Sequence, residues 1–254
     1  MSDATSQCLT KGCSRLKPES VELDQIHLSE RCSFLLFPPN LDTFLSPVIL
    51  PKQLSVVYGY NRLATTTLAH TLVVSAARTG APAVYLDSGN NYSPQLARAM
   101  CIGVDDVDSV ISRVSVAKVL NLVDFKDVVD HLNGVEGLQS VVIDSLTSVL
   151  NLSSAPGSRG RARSLFGALE RLRRLVNEHD CHIMMTDCST RSWSSGVPAP
   201  IGGNVLSHSV DTVVRIDALD SPQVCVRLEV ERSTMPLKDT SIVMRVTRNG
   251  FESL

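Results

Sequence analysis

The 254-residue sequence predicts an α/β fold: a mostly parallel, twisted sheet flanked by helices, with an antiparallel extension at its C-terminal end. Three observations carry that expectation. The apolar runs LSVVY (54–58), AVYLD (83–87), SRVSV (112–116), SVVID (140–144) and HIMMT (182–186) alternate with segments of helical spacing, as strands covered on both faces by helices do. After them DTVVRID, VCVRLEV and SIVMRV succeed one another with only short turn-like connections, which reads as antiparallel pairing. Finally, the stretch from Gly59 to Thr66 has the outline of a phosphate-binding loop, a strand ending in glycine and a helix opening on threonines.

Taken in order, residues 1–30 are polar and mixed with little periodicity, and are expected to be a flexible tail. Residues 31–40 contain the apolar segment CSFLLFPPN, stopped by two prolines and read as a strand or a docking peptide. Residues 41–254 form the core domain, long enough to bury one large apolar centre. Spacing places its helices at Thr65 to Thr79, Ser93 to Cys101, Asp124 to Asn133 and Arg161 to His179. No internal repeat or low-complexity tract is visible.

The formal net charge is -2 and the pI about 6.3, which neither demands nor excludes nucleic acid, membranes or acidic ligands. No apolar run reaches the roughly 18–20 residues of a bilayer span, and residues 1–20 lack a signal-peptide core, so a soluble, intracellular protein is expected. The seven cysteines include no Cys-x-x-Cys pair, as for reduced thiols of cytosol or nucleus. His179, Cys181, His182 and Cys188 are metal-ligand types, but Cys181, Ile183 and Met185 alternate as in a buried strand, and no metal is expected.

A working phosphate loop has the form G-x-x-x-x-G-K-[ST]: its glycines let backbone N–H groups close on phosphates, its lysine reaches the β and γ phosphates, and its hydroxyl holds magnesium. Here Gly59 and Thr66 survive, while Ala64 and Thr65 replace the second glycine and the lysine. A lost charge-assisted hydrogen bond is worth about 1.5–3 kcal/mol, a tenfold or greater loss of triphosphate affinity. The same stretch also reads as a plain strand-to-helix turn with Thr65 or Thr66 as N-cap. Asp144, closing SVVID, stands where an aspartate supports the magnesium shell of such enzymes.

From about residue 40 to 250 the chain resembles the core of the RecA-like strand-exchange recombinases, in particular the archaeal and eukaryotic branch and its non-catalytic paralogs. NLDTFLSPVILPKQLSVVYG is similar to that family's approach to the phosphate loop, and GSRGRARSLFGALERLRRLV to its first DNA-binding loop and following helix. APIGGNVLSHSVDTVVRI resembles the Pro-x-Gly-Gly-Asn close of the second DNA-binding loop, followed by an antiparallel strand. ERSTMPLKDTSIVMRVTRNGF resembles the segment that covers a neighbour's nucleotide and the last strand. The departures matter equally. Gly89 in LDSGNN stands at the family's catalytic glutamate, and Cys188 in TDCST at the glutamine that senses the γ-phosphate. With lysine, glutamate and glutamine all replaced, the resemblance implies an ATPase-deficient, non-catalytic paralog that needs no cofactor.

Six arginines, Arg159, Arg161, Arg163, Arg171, Arg173 and Arg174, lie between Gly157 and Asn177 against one acid, Glu170. The first three are placed in a Gly-Ser-rich loop at the C-terminal edge of the sheet, suited to tracking phosphates. The last three fit the solvated face of a helix whose buried stripe is Leu165, Leu169, Leu172 and Val176. Trp193, beside Arg191 in STRSWSSGVPAPIGGN, reads as a base-stacking platform or equally as a partner-protein anchor. The resemblance adds Gly202, Gly203 and Asn204 to a DNA-binding surface. Phe34 and Phe37 become the segment through which such subunits stack, although Phe37 stands where the family's Phe-x-x-Ala has alanine. The implied role is in homologous-recombination repair: a hetero-oligomer subunit binding a recombinase or recombinase paralog and single-stranded DNA, nuclear if eukaryotic and otherwise cytoplasmic. The alternative is an ATPase-dead scaffold subunit of an elongator-type tRNA-modification complex.

Overall fold

The structure is a computed structural model describing residues 35–152, 158–191, 196–220 and 224–254. The expected tail at 1–30, Phe34 and Trp193 lie outside the described residues. Among the described residues no helix is long and apolar enough to cross a membrane.

The chain opens with α1 (Pro39–Leu45), then β1 (Gln53–Gly59), α2 (Arg62–Arg78), β2 (Ala83–Asp87), α3 (Pro94–Ala99), α4 (Val107–Ser112), β3 (Val114–Lys118), α5 (Leu122–Leu132) and β4 (Ser140–Asp144). It continues with α6 (Leu146–Leu152), α7 (Ser158–His179), β5 (His182–Arg191), β6 (Pro198–Pro200), α8 (Gly203–Ser209), β7 (Thr212–Ala218), β8 (Cys225–Arg232), β9 (Ser241–Thr247) and β10 (Gly250–Ser253). One sheet runs in the order β10-β9-β8-β7-β1-β5-β4-β2-β3, with β6 pairing β5 from outside that path. The five strands read from the sequence are all present and parallel. β7 differs from expectation: it pairs parallel with β1, and the antiparallel extension begins only at β8. The seven-residue helix α8 is the reason, because a crossover between β5 and β7 lets the chain return in the same direction.

Strand alternation divides the core into two layers. Val57, Tyr85, Val142, Met184 and Val214 face α1 to α4, while Val56, Leu86, Ile143, Met185 and Val213 face α5 to α8. β3 departs from the expected two-sided cover, since Ser115, Val116 and Lys118 are exposed on what is an edge strand. α2 is sunk in the centre, with 13 of its 17 residues buried. The two prolines of CSFLLFPPN start a helix rather than stopping a strand. Pro39 occupies the first helical turn of α1, where a missing N–H costs nothing, and Leu41, Phe44 and Leu45 bury.

At the N-terminal edge of the sheet, His182 is fully buried between Ser55 Oγ (2.9 Å) and the Leu50 carbonyl (2.9 Å), and burial pushes its imidazole down to about 4. Burial likewise pushes the Cys181 thiol up to about 12. Both are core groups, and no cluster of three metal-ligating side chains exists among the described residues.

Candidate functional site

β1, β2, β4 and β5 deliver Gly59, Asp87, Asp144 and Cys188 to one C-terminal edge, with Gly59 beside Cys188 and Asp87 beside Asp144 in register. That is where open α/β sheets hold ligands. The turn after Gly59 is short. Asn61 caps α2 by accepting from the Ala64 N–H (3.1 Å), so the cap is neither Thr65 nor Thr66. Thr65 is buried and its hydroxyl donates back to the Arg62 carbonyl (3.0 Å). Gly59 has a packing reason to stay glycine: a Cβ there would lie 2.3 Å from the Ile216 carbonyl oxygen of β7.

Asp144 is the centre of the site and is only 2 % exposed. One carboxylate oxygen accepts from the Thr66 hydroxyl (2.9 Å) and the Tyr85 hydroxyl (2.6 Å). The other accepts from Asn91 Nδ2 (2.9 Å) and the Thr186 hydroxyl (2.6 Å). A carboxylate offers about four acceptor positions, and protein donors take all of them. Burial, and then Asp144 itself, raise the Tyr85 phenol far above its ordinary range, so it stays a donor.

The network extends outward from Asn91, whose side-chain carbonyl accepts from the Arg62 guanidinium (2.9 Å). Asp87 organises the intervening turn by accepting from the Gly89, Asn91 and Tyr92 N–H groups. Gly89 lies under Arg62: a Cβ would sit 2.6 Å from a guanidinium nitrogen. Behind Asp144, His70 donates Nδ1–H to the Thr66 carbonyl (2.8 Å) and accepts the Ser93 N–H at Nε2 (2.9 Å). It stacks on Tyr92 at 5.2 Å, and burial lowers its basicity. A cavity of about 640 Å³ opens beside this cluster, lined by Leu63, Thr66, Asn91, Leu96, Val246 and Arg248.

A second buried carboxylate, Asp187, accepts from the Thr147 hydroxyl (2.5 Å) and from the Cys188 and Gly202 N–H groups (2.8 and 2.9 Å). Cys188 itself is exposed, and partial burial raises its thiol. Gly202 and Gly203 fit the entry to α8 sterically: a Cβ on Gly202 would meet Leu206 at 2.6 Å, and Gly203 has φ +59. Asn204 is exposed on the same helix.

The arginines do not occupy a loop. Ser158–His179 is continuous helix, so Arg159, Arg161 and Arg163 belong to the first turns of α7, where Gly160 did not interrupt the pattern. Arg161 and Arg163 are exposed with no ion-pair partner among the described residues. Further along, Arg171 pairs with Asp130 (2.5 Å) and Arg173 with Asp211 (2.6 Å), as members of a surface helix face. Arg191 ends β5 opposite Pro198. Phe37, read as a docking side chain, folds onto its own chain: it is half-buried, with the Arg78 guanidinium 4.9 Å from its ring centroid. Arg161 and Gly202 line one cavity, so the two segments read separately as DNA-binding meet at a single place. The supporting residues Tyr85, Asn91, Thr186, His70 and Asp187 were not visible as site residues, because each sits in an ordinary strand, turn or helix pattern.

The Rad51 family model matches residues 38–251. The chain belongs to the Rad51 family. A solved structure described as the crystal structure of the RadB recombinase matches with a TM-score of 0.70 at 21% identity, covering 84% of this chain and 96% of that one. That likeness shows the fold, a RecA-like α/β sheet with antiparallel C-terminal strands. A search of curated protein sequences finds no match. The Asp144 cluster lies within the residues that the Rad51 family model matches.

Proposed function

We propose that this Rad51-family chain is a non-catalytic subunit in homologous-recombination DNA repair, bound to a recombinase or recombinase paralog and to single-stranded DNA. The observation that carries the reading is the saturation of Asp144 by Thr66, Tyr85, Asn91 and Thr186. A magnesium nucleotide needs that aspartate's acceptor positions for the metal's water shell, and here they hold the protein together instead. The residues present do not fit the group: Thr65 supplies no cation, Gly89 no base and Cys188 no amide. Arg62, the nearest guanidinium, is engaged by Asn91. The chain's contribution is therefore binding, and three features support a nucleic-acid partner: the exposed Arg161 and Arg163, the neighbouring Gly202-Gly203-Asn204 start of α8, and membership of a recombinase family.

The test is a salt titration of fluorescent single-strand binding with the partner present. Four phosphates neutralised by Arg159, Arg161, Arg163 and Arg191 give a slope of log K against log salt of roughly -3, at about -0.7 per contact. Replacing the three α7 arginines by alanine flattens the slope by about 2 units. An unchanged slope would assign those arginines to a protein interface instead.

A further inference from the structure

We propose that the cavity of about 250 Å³ between α6, α7 and α8 receives one unstacked nucleobase of the bound strand. The proposal rests on the single-strand reading above and adds a site to it. Leu150, Ala162, Leu165, Ile201 and Val205 supply apolar walls, which suit the two faces of a planar ring. Its polar side chains are few, Thr147 and Arg161. The Thr147 hydroxyl commits its proton to Asp187 (2.5 Å), so the oxygen presents lone pairs to a base N–H. Asp187, buried and fixed by three donors, holds Thr147 and Gly202 in place and makes that wall rigid.

The rim sets the ligand class. Arg161 lines the cavity, and among the described residues no carboxylate does. On a helix at 100° per residue, Ala162 and Phe166 lie about 40° apart on one face, with Arg163 about 60° beyond Phe166. Phe166 is 54 % exposed, an aromatic left in solvent one turn from the cavity wall. A cationic rim with an aromatic outside a ring-sized apolar slot matches a strand whose phosphates track the arginines while its bases stack or insert. An acidic-free rim is equally the wrong complement for a basic peptide.

The experiment compares a fluorescein-labelled oligothymidine with an abasic strand of equal length, using the full chain with its recombinase-family partner present at fixed low salt. Ala162→Phe on α7 and Ile201→Phe ahead of α8 fill the cavity from two separate elements, and Ile201, 45 % exposed, has room for a larger side chain. Each filler lowers affinity for oligothymidine by about tenfold, the size expected for one lost stacked base, and leaves abasic affinity unchanged. Fillers that keep wild-type affinity for both strands, or weaken both equally, overturn the pocket while leaving the single-strand reading intact. Wild-type protein that binds neither strand overturns that reading and the pocket with it.

Discussion

Replacing Asp144 by asparagine keeps the size of the side chain and removes its charge, which separates a structural role from a metal-holding one. Four donors converge on the carboxylate at 2.6–2.9 Å. Hydrogen bonds to a charged acceptor are worth about 1.5–3 kcal/mol each, against about 0.5–1.5 kcal/mol for neutral pairs. The exchange thus weakens each by about 1 kcal/mol, and the amide turns donors toward hydroxyls on one side. Relief from burying a charge returns part of that sum. The net expectation is a loss of about 2–4 kcal/mol in urea unfolding monitored by circular dichroism. Where an aspartate's acceptor positions are left open for a metal, the same change removes a buried, under-paired charge and is neutral or stabilising. An Asp144→Asn variant as stable as the wild type would refute the hub.

Phe37→Ala should lower stability by about 2–4 kcal/mol, because the ring packs on its own chain, yet leave partner capture intact once folded. Phe34→Ala should abolish co-purification with a recombinase-family chain, and unchanged co-purification would count against a docking role for that residue. Burial holds His182 at about 4 in the folded chain, against about 6.5 unfolded, so the unfolded state binds more protons between those values and stability falls as pH drops through them. Moving from pH 7.5 to pH 5 therefore costs about 2 kcal/mol from this residue, and His182→Gln should flatten the pH profile of urea unfolding by that amount. An equally steep profile in the variant would count against the buried neutral imidazole.

The sheet was legible because its strands are apolar on both faces and separated by helices long enough to show a period. SRVSV shows the limit: it is apolar enough to read as a strand, but nothing in it says that it ends at the sheet's edge. The direction of β7 was hidden behind α8, too short to give a periodic signal, and α1 behind a Pro-Pro pair that reads as a stop. Gly59, Asp144 and Cys188 could be aligned as a remnant because they fall at or near strand ends, and Thr66 because it opens the helix after β1. What replaced the lost chemistry could not, since Tyr85, Asn91 and Thr186 meet Asp144 only through the sheet register and the turn that Asp87 organises. Spacing started a helix at Arg161 while the Gly-Ser composition placed Arg159, Arg161 and Arg163 in a loop; Gly160 and the serines around it masked that the helix already begins at Ser158.

In the proposed reading, the Asp144 cluster takes the place of nucleotide chemistry. Single-turnover hydrolysis of radiolabelled ATP with magnesium, using excess full-length chain alone and with its partner, tests it most directly. Phosphate release no faster than buffer is expected from both the wild type and Asp144→Ala; release by the wild type that disappears in Asp144→Ala would contradict the non-catalytic reading.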